Sequence, residues 1–145
     1  MLNKLSFLIS TFFYTGRVGF APGTIASLLT LILWILFVPD DYLVRFIIIL
    51  LLFLIGIAST MRALTILNEK DPQEIVIDEV IGMSISLFLI TDISLMIVAF
   101  CLFRIFDIFK PSIIYYSQDY DGAYGVIFDD VFAGICVLII LIGYV

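Results

Sequence analysis

The sequence predicts an all-α, integral membrane helical bundle, with about five membrane-embedded helices behind a short interfacial helix at the amino terminus. Three observations carry that prediction. The 145 residues are 63% hydrophobic with a mean hydropathy of +1.25, well above the roughly 45–50% apolar content of a soluble domain. Apolar runs recur along the whole chain, and no polar linker or low-complexity stretch divides it, so residues 1–145 read as a single domain. The charge that remains is gathered into four short motifs: 15–27 (TGRVGFAPGTIAS), 71–83 (DPQEIVIDEVIGM), 103–111 (FRIFDIFKP) and 122–134 (GAYGVIFDDVFAG).

In chain order, residues 1–14 carry one cation, Lys4, and a short apolar stretch broken by Ser6, Ser10 and Thr11. No small-residue cleavage site follows, so the segment reads as an interfacial amphipathic helix rather than a signal peptide. Apolar runs then cover 25–38, 42–59, 75–90, 93–106 and 126–145. Turns separate them at Pro39-Asp40-Asp41 and Thr91-Asp92, and Lys110-Pro111 ends the fourth. Several runs fall short of the roughly 20 residues that cross a bilayer core. Such segments cross with little tilt, thin the bilayer or reach part-way as a hairpin, which leaves four crossings as the alternative to five.

Threading the first run outward places Lys4, Arg17, Arg62, Lys70, Arg104 and Lys110 on one side and Arg45 on the other. An excess of cations marks the cytoplasmic side, so the amino terminus is expected inside. The same threading brings all four motifs to that face, although it was chosen from Lys and Arg alone.

The net charge of −6 describes a site more than a surface, because most of the 13 acids lie inside the motifs. Seven scattered cations form no basic stripe, which excludes a nucleic-acid partner. Cys101 and Cys136 each lie in an apolar run and read as small packing residues. The chain has no histidine, so any catalysis must use carboxylates, Lys, Arg, hydroxyls or a metal.

Buried carboxylates are costly unless paired or metal-bound. Adjacent helical acids point about 100° apart, so Asp78 with Glu79, and Asp129 with Asp130, cannot both face lipid, and one of each pair should face the interior. The alternative is that they snorkel to water or sit at helix N-termini, where the helix dipole favours negative charge. The two pairs occur in matching contexts, VIDEV and IFDDV, each followed by a small residue (Gly82; Ala133 and Gly134) that lets a helix or a phosphate come close. Arg104, Asp107 and Lys110 repeat at i, i+3, i+6, a stripe able to hold a phosphate at its cationic ends while its carboxylate reaches a metal. A self-contained salt-bridge ladder is the alternative. Pro22-Gly23-Thr24 and Ser27 read as a turn into a helix, with Thr24 able to cap and free N–H groups suited to an anion. Arg17 is either a phosphate contact or a marker of the cytoplasmic side. The DxDG string at Asp119-Tyr120-Asp121-Gly122 mimics a phosphatase nucleophile loop, but the strand and surrounding domain that loop needs do not fit here.

Taken together, APGT, IVIDEVIGM, FRIFDIFKP and the late Asp-Asp-x-x-Ala-Gly resemble the phosphatidylglycerophosphatase A family of small membrane lipid phosphatases, over nearly the whole chain. The chain departs from the family at Val18-Gly19-Phe20, where a proline is usual, and at Ala123, where a glycine is usual. The resemblance implies an all-helical bundle and magnesium-dependent (Mg2+) removal of the terminal phosphate from phosphatidylglycerophosphate, giving phosphatidylglycerol. On that footing Asp78, Glu79, Asp129 and Asp130 are the expected magnesium ligands, with Asp107 a further ligand or base. Asp78, Asp107, Asp129 and Asp130 are the expected catalytic acids. Arg104 and Lys110 are expected to hold phosphate oxygens, supported by Thr24 and Arg17. The implied setting is the bacterial inner membrane, multi-pass, with the site at the cytoplasmic face. A cation transporter would put its acids at mid-membrane, and a non-catalytic anionic-lipid binder would need the cations but not both acidic pairs.

Overall fold

The computed structural model describes residues 2–67, 72–109 and 122–145, and among them the chain is helical with no strand. Among the described residues there are six α-helices: α1 (Leu2–Ser10), α2 (Pro22–Phe37), α3 (Tyr42–Leu67), α4 (Ile77–Ser86), α5 (Ile93–Phe109) and α6 (Ala123–Leu141). Short 3-10 turns lie at Thr15–Arg17 and Ile142–Tyr144. The Lys110-Pro111 stop and the Asp119-Tyr120-Asp121 string lie outside the described residues, as do Lys70 and Asp71.

The two clearest turns form as their residues dictate. The Asp41 carboxylate accepts from Val44 N–H at 2.9 Å, and that of Asp92 from Leu95 N–H at 3.0 Å. Each acid thereby caps the helix that follows it, α3 and α5 respectively.

The number of crossings needs correction. Among the described residues two helices are long and apolar enough to cross a membrane, Tyr42–Leu67 and Ala123–Tyr144, rather than five. The run over 75–90 holds Asp78 and Glu79 near its start and no charge after them, but α4 uses ten residues of it, about 15 Å of helix, and then turns. Helix α2 is apolar but has sixteen residues, about 24 Å. The outward face of α3 leaves Leu43, Phe46, Ile47, Leu50, Leu51 and Leu54 exposed, which suits lipid and not water.

Past the end of α4 the carbonyls find a partner in another helix. The fully buried Arg45 of α3 donates through Nη1 to Ile90 O at 2.8 Å and Phe88 O at 3.2 Å, and through Nε to Pro39 O at 3.0 Å; it also pairs with Asp40. One guanidinium thus ties the α2–α3 connection to the α4–α5 turn and gives the carbonyls of Pro39, Phe88 and Ile90 a donor.

Short α4 lies at the centre, packed against α2, α3, α5 and α6. Around its second half Leu31, Trp34, Met83, Met96, Phe103 and Val137 form one apolar cluster. Around its first half Ala26, Ala63, Val76, Ile81 and Ile127 form another. This packing places the starts of α2, α4 and α6 and the end of α5 at one end of the bundle, while Arg45 and its turns occupy the other.

Candidate active site

Helix α4 begins Ile77-Asp78-Glu79, so both acids stand in a first turn, where the helix dipole favours negative charge. Val76, just before them, donates its N–H to Ser10 O at 2.9 Å, which fixes where the helix starts. Asp129 and Asp130 stand two turns into α6 and are almost wholly buried. Helix α6 itself starts from Gly122, whose φ of 75° and ψ of −147° is open in practice only to glycine.

The two pairs meet because α4 and α6 cross through small residues. A methyl group on Gly82 would meet the Asp130 carbonyl oxygen at 2.5 Å, and one on Gly134 would collide with the Gly82 carbonyl. With no side chain between them, the backbones touch, and one oxygen from each of Asp78, Glu79 and Asp130 comes within 4.8 Å of the others. Asp78 Oδ1, Glu79 Oε2 and Asp130 Oδ2 are sealed from solvent and have no hydrogen-bond partner among the described residues. Asp129 Oδ1 accepts from Asp130 N–H at 3.0 Å.

Helix α5 brings the counter-charge. Arg104 Nη1 pairs with Asp107 Oδ2 at 2.6 Å, one turn on. It also reaches Ser27 Oγ of α2 at 3.4 Å, and that hydroxyl donates to Gly23 O at 2.8 Å. Arg104 Nε is buried without a partner. The start of α2 closes the ring: Glu79 Oε1 occupies the place that a Gly23 side chain would fill, so the carboxylate lies against α2 backbone.

These groups line a cavity of about 400 Å³ with Ala21, Pro22, Gly23, Pro72, Gln73 and Ile75. Asp78, Glu79, Asp107, Asp129 and Asp130 all line it, with Arg104 as the cation among them. Burial raises the proton affinity of the Asp78 carboxyl well above the ordinary carboxyl range, and the charge of Glu79 adds to this. Burial likewise raises that of Glu79, with Asp107 adding and Arg104 opposing. Several acids sharing one enclosure are tolerable when a cation joins them, and oxygen donors at this spacing suit a hard divalent ion.

Two expected phosphate contacts, Thr24 and Arg17, are not among the described residues that line the cavity. Thr24 is the third residue of α2 and makes no capping bond; the helix is capped by Ala21 in a left-handed conformation, with Pro22 at its first position. Proline preorganises that turn and needs no N–H partner, so the hydroxyl has no capping role to fill. Arg17 does not line the cavity: its Nε is drawn to Glu74 Oε2 at 3.1 Å and its guanidinium lies over the Phe7 ring, 4.7 Å from the centroid. Lys110 lies outside the described residues. Gly23 and Ser27, read in the sequence as part of a turn into a helix, shape the site, and so does the Pro72-Gln73 turn, whose residue types carry no chemical signature.

Residues 8–145 match the family model described as Phosphatidylglycerophosphatase A. A Bacteroides thetaiotaomicron protein named "Putative phosphatidylinositol-3-phosphatase" is 36% identical over 146 residues, covering 94% of this chain and 91% of the relative. Phosphatidylglycerophosphatase A of Haemophilus influenzae is 33% identical, covering 97% and 88%. That of Escherichia coli is 29% identical, covering 88% and 76%. No solved structure matches the chain significantly.

Proposed function

The chain belongs to the phosphatidylglycerophosphatase A family, and on that premise we propose that it hydrolyses the terminal phosphate monoester of phosphatidylglycerophosphate to phosphatidylglycerol and phosphate. The observation that carries the reading is the convergence of sealed, unpartnered oxygens of Asp78, Glu79 and Asp130 on a cavity that also holds Arg104. Among the described residues, five carboxylates surround one guanidinium, and such a ring repels a phosphate dianion unless further positive charge joins it.

Magnesium is the cation that fits this reading. Asp78, Glu79 and Asp130 would hold it, with Asp107 and Asp129 as further acids of the same enclosure. When bound, it would supply charge neutralisation on the phosphoryl oxygens and lower the pKa of a coordinated water.

The residues do the rest. Hydrolysis breaks the bond between phosphorus and the lipid's glycerol oxygen, joins a water oxygen to phosphorus and returns a proton to the departing alcohol. Such a reaction needs positioning and charge stabilisation more than covalent help. Arg104, steered by Asp107 and Ser27, offers its guanidinium to the phosphate oxygens, where a planar pair of donors fits best. Gly23 keeps the start of α2 close to Glu79, so the helix's positive end adds to the field around the anion.

The membrane setting follows from the two long apolar helices and the family. With the cations Arg62 and Arg104 toward the site end and Arg45 at the other, we place the site at the cytoplasmic face of the bacterial inner membrane. The head group would enter there while the acyl chains stay in lipid.

The test is phosphate release by purified protein from phosphatidylglycerophosphate and, in parallel, phosphatidylinositol 3-phosphate, with magnesium and with a chelator. Release from the first substrate that needs the metal supports the reading. Release from the inositol lipid alone would replace the substrate, and release undiminished by the chelator would remove the metal.

A further inference from the structure

Arg17 is a cation with an arrangement of its own. A second pocket, of about 290 Å³, is lined by Asn3, Lys4 and Phe7 of α1, by Tyr14 and Arg17, and by Ile66 and Leu67 at the end of α3. Among the described residues its walls are mainly apolar and aromatic, and its charged members are the two cations Lys4 and Arg17. Arg17 is held there by Glu74 through Nε and by the rings of Phe7 and Tyr14, 4.7 and 5.9 Å from its guanidinium carbon. Its terminal nitrogens have no partner among the described residues. Phe13, Val18 and Phe20 stand exposed on the same loop. The pocket opens beside the end of a membrane-length helix, where an apolar slot and a phosphate-seeking cation occur together.

We propose that this pocket is a binding site for an intact anionic phospholipid, separate from the catalytic cavity. The lipid's phosphate would take Lys4 and the terminal nitrogens of Arg17, and the top of an acyl chain would lie against Phe7, Ile66 and Leu67. The pocket is not insulated from the active site. Glu74, the partner of Arg17, sits between Gln73 and Ile75 of the cavity wall, and the backbone at Gly16 packs directly on Glu74. A phosphate on Arg17 competes with Glu74 and so bears on that wall.

The experiment places the full chain in phosphatidylcholine vesicles containing a trace of spin-labelled phosphatidylglycerol or spin-labelled phosphatidylcholine. The motionally restricted fraction of each gives their relative association. Phosphatidylglycerol is a diester with no terminal phosphate to release, so the readout is independent of turnover and of the phosphatase reading. The wild-type chain should prefer phosphatidylglycerol, and the Lys4→Gln/Arg17→Gln variant should lose roughly fivefold per cation removed. Lys4→Arg/Arg17→Lys should keep the preference, which guards against misfolding. Asp130→Asn, altering only the catalytic cavity, should keep it too. Arg62→Gln, exposed one turn earlier on α3 and outside the pocket, should leave it unchanged. A double variant with the wild-type preference would overturn the proposal. So would an equal loss in Arg62→Gln, which means general surface charge, or abolition by millimolar inorganic phosphate, which means a free-anion site.

Discussion

Gly82 and Gly134 lie against each other where α4 crosses α6, the carbonyl of the first filling the place a side chain on the second would take. The contact sets the chemistry, because Asp78 and Glu79 lie one turn before Gly82, and Asp129 and Asp130 one turn before Gly134. Bringing the glycines together brings the acids together. The spacing that looks like a repeat in the sequence is therefore a geometric requirement: two acidic turns reach one cavity only if the turns after them can touch.

Gly134→Ala should consequently cost both stability and activity. The added methyl collides with backbone, which cannot swing aside as a flexible side chain would, and overpacking of this kind typically costs about 1–3 kcal/mol. Thermal unfolding in detergent should show the loss, and phosphate release should fall further than the folded fraction does. Gly143→Ala, where a methyl group would meet open space, is the control expected to change neither.

Asp78→Asn and Asp130→Asn should separate function from stability. Each removes a negative charge from an enclosure already crowded with them, so the metal-free protein should unfold at a temperature equal to or higher than wild type. Activity should nonetheless fall by about 10²-fold or more, the scale on which preorganised electrostatic groups act in catalysis. Wild-type turnover in either variant would refute the carboxylate site.

Arg104→Lys should show whether a planar donor pair is needed. Lysine keeps the charge but loses the fork that spans Asp107, Ser27 and a phosphate. A fall of about tenfold or more in kcat/KM with little change in melting temperature is expected; retention of full kcat/KM would mean that charge alone suffices.

At the opposite end, Arg45→Met should be a stability variant. It leaves the carbonyls of Pro39, Phe88 and Ile90 and the Asp40 carboxylate without their donor, for a cost of about 3 kcal/mol. Protein that remains folded should turn over normally, since the site lies beyond α4. A parallel loss of kcat in the folded fraction would show that the turns at this end also set the cavity.

How much of this was legible in the sequence depends on the kind of interaction. The helices, the single end at which the motifs meet and the acids of the cavity could all be read, because charge in an apolar chain must be accounted for wherever it occurs. Helix length was not legible: past Glu79 the run to residue 90 carries no charge to mark an end, yet α4 stops at Ser86 and the carbonyls of Phe88 and Ile90 beyond it turn to a guanidinium some 40 residues earlier. Arg45 looked like an orientation marker for the same reason, its partners being backbone atoms that leave no trace in residue type. Thr24 and Arg17 were attractive by composition, but capping by Ala21 and Pro22 and the pull of Glu74 and Phe7 decided their surroundings. Gly23 and Ser27 were read only as part of a helix start, because small residues announce only space.

Proton and metal should finally act in opposite directions on stability. Asp78 and Glu79 hold protons more tightly in the folded chain than in the unfolded one, where a carboxyl titrates near about 4. Their contribution is therefore full below that value and is lost as pH rises through the raised folded values. In a chelator, the melting temperature should fall between pH 5 and pH 8. A divalent cation needs the same groups deprotonated, so its stabilisation should grow over that range, reaching about 2.7 kcal/mol at a hundredfold excess over its dissociation constant. Melting curves at both pH values, with chelator and with magnesium, check the crossing. A metal-free protein that gains stability toward pH 8 would mean that these carboxylates are already neutralised by groups of the chain itself, and that the cavity does not await a cation.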